Sequence, residues 1–357
     1  MAMRRLATFA CVALLVASLA GCGKDTRTGP IPPSPRPYRM GFSGIPPRLD
    51  FALAVAAINM WSLRADAAIH SFEPPWDSLL AGVSPETLIV RDQLQLNNYY
   101  RSKGLKVWLY LDPANGINRA GESDKLVAAG RSITEPEIQQ LFRRYAIVAD
   151  SLLQPDHMGF ALETNLIRGL SPAPLYAAIR QVANDAAADV RANDPDVKMS
   201  VSVQVDWAWG RFGGPYQGVE QDFIDFPFIQ ELGLSSYPYL ANFTHPDSIP
   251  LTYYSRLLTG HSTPAMVTEG GWTSATLDTI VSSPEIQKDY IERQEILLRD
   301  VNAIAVFQLT FTDLDPSIFP PNSILPLFAH CGLVDVNLVP KPALTAWDFA
   351  FSRRYAP

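Results

Sequence analysis

From Tyr38 onward, short apolar runs alternate with longer segments of helical periodicity. The runs Met40–Ile45, Ala67–Phe72, Leu105–Leu111, His157–Leu162, Val197–Val205, Glu231–Ser236, Pro264–Thr268 and Ala303–Leu309 read as strands. Helix starts punctuate the gaps. Ser84-Pro85-Glu86 and Ser283-Pro284-Glu285 each offer a capping serine, a proline at the first helical position and an acid in the first turn. The first of these helices is expected to run to about Lys103, where Gly104 caps it, and the second to about Asp300. Thr134-Glu135-Pro136-Glu137 has capping-box spacing, Ser171-Pro172 opens another helix, and Pro342–Ser352 makes a closing one. Eight strands separated mostly by helices predict a (β/α)8 barrel, with a doubly wound open sheet as the alternative.

The N-terminus follows a different pattern. Arg4 and Arg5 precede an apolar stretch, Leu6–Ala20, which is short for a membrane span and ends in Leu19-Ala20-Gly21-Cys22. This resembles a bacterial lipoprotein signal, which implies lipidation of Cys22 and a bacterial cell-envelope location. Gly23 after the cysteine suggests the outer membrane. Prolines crowd Gly29–Pro37 and predict an extended spacer. The expected organisation is a signal at 1–21, a lipidated cysteine and linker at 22–38, and one catalytic domain at 39–357.

Composition narrows the functions. Hydrophobic residues make up 47% of the chain, enough for a large core, and the net charge of −7 argues against a nucleic-acid partner. Cys331 alone falls in the domain, so no disulfide framework is expected there. The five histidines show no metal-ligand spacing, and no phosphate-cradling glycine loop or nucleophile elbow is present. No metal or organic cofactor is expected.

Barrels of this kind carry their chemistry at the carboxyl ends of the strands. Glu163 follows the fourth predicted strand and Glu269 the seventh. Two carboxylates facing across a cleft can cleave a glycosidic bond, one protonating the leaving oxygen while the other attacks the sugar or activates water. Trp76, Trp207, Trp209, Tyr237, Tyr239 and Trp272 also follow strands, where their flat faces suit sugar rings. For each tryptophan in that set, packing in the core is an equal alternative. Trp61, Trp108 and Trp347 lie inside predicted elements and read as core.

With Val267-Thr268-Glu269-Gly270-Gly271-Trp272, Leu234-Ser235-Ser236-Tyr237-Pro238-Tyr239, Gly332-Leu333-Val334-Asp335 and Lys341–Trp347, the chain resembles the clan A glycoside hydrolases. It is most similar there to the endo-β-1,4-galactanases (arabinogalactanases). The resemblance implies a retaining mechanism with Glu163 as general acid/base, Glu269 as nucleophile and Tyr237 hydrogen-bonded to the nucleophile. Leu162 stands where the clan has an asparagine, and Asn165 is the candidate to replace it at the sugar 2-hydroxyl. Ser71-Phe72-Glu73 stands where the clan has an arginine, with Arg48 the nearest substitute. The expected protein is a monomeric, membrane-anchored hydrolase of poly- or oligosaccharides. The alternative is a glycan-binding lipoprotein on a barrel that has lost catalysis.

Overall fold

A computed structural model describes residues 34–320 and 323–357. The expected signal, Cys22 and most of the linker lie outside the described residues. Eight parallel strands close into a barrel in sequence order: β1 (Arg39–Ser43), β2 (Ala67–Phe72), β3 (Lys106–Leu111), β4 (His157–Phe160), β5 (Lys198–Gln204), β6 (Glu231–Ser236), β7 (Ala265–Gly270) and β8 (Ala303–Gln308). Pairing of β1 with β8 completes the ring, so no strand edge remains open. All eight predicted strands are present, and the open sheet is excluded.

Alternation along the strands sorts side chains into two layers. Ile69, Trp108, Tyr110, Met266 and Phe307 fill the barrel interior. The outward set, with Val107, Leu109, Val201, Val203 and Val267, packs against the surrounding helices. The interior is filled to contact. Tyr110 lies so close to β4 that a Cβ on Gly159 would sit 2.1 Å from its ring, and its hydroxyl is 2.7 Å from Ser200 Oγ. Trp108 stacks on His157 at 3.8 Å between ring centroids, and His157 Nδ1 is 2.7 Å from Glu231 Oε2. This plug shuts the end of the barrel remote from the strand exits.

Ser84 and Ser283 cap their helices, accepting hydrogen bonds from Thr87 N and Ile286 N. Two local expectations change. The helix expected from Ser84 to Lys103 is two, Pro85–Asp92 and Leu94–Ser102, because Gln93 leaves helical geometry at φ −122°. Thr134 is not a cap: the helix Pro136–Leu153 starts after Glu135, whose side chain is held by Arg131 and Ser132 N. Trp61, Trp108 and Trp347 are buried as expected. Trp347 Nε1 donates to Arg64 O and ties the closing helix, Pro342–Ser352, back to the segment before β2.

Candidate active site

The seventh strand aims its glutamate by miscounting. Met266 faces the barrel interior and Val267 faces the helices. Strict alternation would return Thr268 to the interior and send Glu269 outward. Instead β6 pairs Leu234 with Val267 and the next residue, Ser235, with Glu269, so Thr268 is an extra residue on β7. This bulge turns Glu269 into the cleft.

Glu163 arrives by a different device. β4 ends at Phe160, earlier than predicted, and the chain bends with Ala161 at φ +88° and Glu163 at φ +50°. Non-glycine residues rarely take these angles, and they concentrate where surrounding contacts impose them for function. The bend is held by Ala161 N on Leu111 O and by Glu163 N on Ser202 Oγ at 2.9 Å.

Around the two acids runs a charge network that the sequence pattern did not reveal. Arg119, in the loop after β3, donates from Nε to Glu163 Oε2 at 2.9 Å and from Nη1 to Asp112 Oδ2 and Asn115 O. Ser235 Oγ donates to Glu163 Oε1 at 2.6 Å. The loop is shaped by Glu73, which accepts from Gly116 N and from Ser123 Oγ. The guanidinium therefore comes from the third strand's loop. Arg48, the substitute considered from sequence, is a half-exposed partner of Asp315 and lies outside the site.

Burial pushes the Glu269 carboxyl up to about 7; the negative charge of Glu163 pushes the same way, and Arg119 and Ser235 oppose it. Such a carboxyl is still half protonated at neutral pH. Glu163 meanwhile accepts charge-assisted bonds. Glu269 thus keeps its proton more tightly for as long as the neighbouring Glu163 carries its charge.

Two lobes of one cleft meet at this pair. The first, about 450 Å3, is lined by Ser43, His70, Ser71, Glu73, Asp112 and Thr268 among others. The second, about 270 Å3, contains Glu163, Gln204 and Tyr237. Gly116, Arg119, Glu269 and Leu309 line both. His70 is lowered to about 4 by burial, so at neutral pH it is an uncharged donor and acceptor.

Of the residues named from sequence, Glu163, Glu269 and Tyr237 come together, and the others do not reach the cleft. Trp76 is fully buried and stacks near Phe142 at 6.3 Å. Trp272 and Tyr239 are buried against each other and beside Tyr290. Trp209 is half-buried and donates to Tyr253 O, and Trp207 packs under Gly169; neither lines a lobe. Asn165 is a strut: it exchanges two hydrogen bonds with the backbone of Gln204, at 2.8 and 2.9 Å, and fixes the end of β5. Tyr237 does not hydrogen-bond Glu269. Its N–H is held by the buried Asp206 and its ring lies edge-on to Phe328 at 4.8 Å. Among the described residues no group of His, Cys, Asp and Glu could hold a metal ion.

The fold is shared with solved glycosidases. An exo-β-1,4-mannosidase from Opitutaceae bacterium strain TAV5 superposes with a TM-score of 0.65 at 15% identity, over 89% of this chain. The chain spans 60% of that mannosidase's length. A family 5 glycoside hydrolase from Streptomyces cattleya, solved with a Manβ1-4GlcNAc disaccharide, gives a TM-score of 0.63 at 15% identity, covering 88% of this chain and 80% of its own. A psychrophilic family 10 endo-β-1,4-xylanase gives 0.55 at 12% identity, covering 87% and 96%. The barrel is built as theirs is. No family model matches the sequence, and no curated protein does.

Proposed function

We propose that the protein is a retaining glycoside hydrolase, with Glu269 as nucleophile and Glu163 as general acid/base. The observation that carries this reading is the pair of carboxylates, Glu163 and Glu269, brought together where two lobes of the cleft meet. In the first step Glu269 attacks the anomeric carbon and the glycosidic C–O bond breaks. The proton of Glu163 goes to the departing oxygen. In the second step Glu163 takes a proton from water, whose oxygen displaces Glu269 and restores both groups. The chemistry requires the proton on Glu163 and the charge on Glu269 when the bond breaks. The first lobe, with its serines, neutral His70, Glu73 and Asp112, supplies the hydroxyl-recognising groups a sugar ring needs.

The galactanase-like specificity and a lipid anchor at Cys22, holding the domain at the outer membrane, are parts of this proposal that rest on sequence resemblance alone. A second reading, a glycan-binding barrel without turnover, is favoured by one observation: Arg119 Nε donates to Glu163 Oε2 and Ser235 Oγ to Oε1, so both carboxyl oxygens are already engaged by the protein.

A panel of β-linked substrates, including β-1,4-galactan, with anomeric NMR of the first product, tests the proposal. Retention of configuration that disappears in Glu269→Gln is the expected outcome. Inverted product refutes the double displacement, and binding with no turnover at any pH supports the second reading.

A further inference from the structure

Glu163 says which of the two lobes receives which part of a substrate. A general acid must stand beside the oxygen that leaves, so the lobe containing Glu163 receives the leaving group. Glu163 lines the second lobe and not the first, and Glu269 lines both, as a group attacking the bond between them must.

The leaving-group lobe is walled mainly by hydrocarbon. Ile117, Leu166, Phe212, Leu240, Ile324 and Phe328 form its outer wall, and its polar groups, Arg119, Glu163, Gln204, Tyr237 and Glu269, gather at the end next to the acids. Ile117, Phe212 and Ile324 are 42%, 48% and 48% exposed, which leaves apolar surface bare at the mouth of a cleft. A second sugar seated here would set the hydroxyls remote from the acids against apolar outer walls that offer no hydrogen bonds, at a cost for each hydroxyl left unpaired. An apolar group loses nothing polar on entry. The volume suits one: about 270 Å3 is nearly twice the ~150 Å3 of an apolar cavity that admits benzene.

Resting on the glycosidase reading, we infer that the natural substrate is a glycoside of an apolar, ring-bearing alcohol, and that the protein cleaves a sugar from such an aglycone in preference to another sugar. The first lobe holds the sugar and the second the aglycone.

The test compares benzyl β-D-glycosides of glucose, galactose, mannose and xylose with the β-1,4-linked disaccharides of the same sugars. Benzyl alcohol is the poorer leaving group, so a preference for it reports binding in the second lobe. The expected result is a kcat/KM at least about tenfold higher for the benzyl glycoside of the best sugar. Phe212→Ser and Ile324→Ser, both at half-exposed positions, should cut that advantage about tenfold each relative to the glycosyl fluoride of the same sugar. A disaccharide or polysaccharide cleaved as fast as the benzyl glycoside overturns the inference and leaves the glycosidase reading intact. If nothing is hydrolysed, the glycosidase reading fails first, and calorimetry with benzyl 1-thio-β-D-glycosides then decides the lobe. Binding weakened by Phe212→Ser upholds an apolar site, and binding that ignores both substitutions overturns it.

Discussion

Replacing Glu269 with glutamine should stabilise the protein while silencing it. In the folded state the Glu269 carboxyl keeps its proton up to about pH 7, because burial and the Glu163 charge oppose ionisation, whereas a free carboxyl ionises at 4.5. Between those values the folded state binds the proton more tightly than the unfolded one. Unfolding therefore releases a proton, and this group's contribution to stability falls as pH rises. Above pH 7 the cost is complete. The interval corresponds to about 3 kcal/mol, and about 2 is the better expectation because part of the carboxyl faces the open cleft. A glutamine side chain carries no charge at any pH, so Glu269→Gln removes the cost. Urea unfolding followed by circular dichroism should show the variant more stable by about 2–3 kcal/mol at pH 8 and nearly equal to wild type at pH 4.5. The same comparison in a Glu163→Gln background should shrink, since one source of the penalty is then gone. A difference that does not grow with pH, or a variant less stable at pH 8, would refute the account of a buried, charge-opposed carboxyl.

Glu163→Gln should lower kcat by roughly 10²–10⁴ on glycosides with poor leaving groups and far less on glycosyl fluorides, measured by steady-state kinetics. Arg119→Met leaves the buried Asp112 charge without its partner and should cost about 3–5 kcal/mol; adding Asp112→Asn should recover most of it, as a thermal-unfolding double-mutant cycle would show. In Asp112→Asn/Arg119→Met the acid limb of kcat/KM should also move to higher pH, because Arg119 holds the Glu269 pKa down more strongly than the Asp112 charge, lost with it, raises it. Gly159→Ala drives a methyl into the Tyr110 ring and should destabilise by at least about 1–3 kcal/mol without moving the pH optimum.

What could be read from sequence was whatever local chemistry writes locally. Strand runs and the Ser84 and Ser283 caps follow from short-range pattern, and all eight strands closed as expected. Glu163 and Glu269 drew notice because polar residues at strand exits stand out against apolar runs. Arg119 was invisible because it lies in a non-periodic loop whose shape comes from scattered side chains, among them Asp112 just after β3 and Glu73 after β2. The aromatics misled for a related reason. Position at a strand exit does not say which way a ring turns: Trp76 and Trp272 turn into the core, while the cleft takes Phe212 and Phe328 from longer connections.

The extra residue in β7 has a consequence for how this chain tolerates change. Because Thr268 is the extra residue, losing it would place Glu269 directly after the outward-facing Val267, where ordinary alternation again turns it into the cleft opposite Ser235. Substitutions at Thr268 leave the count alone and alter only packing. The direction of the carboxylate thus survives both a spelling error at this position and the loss of the codon itself.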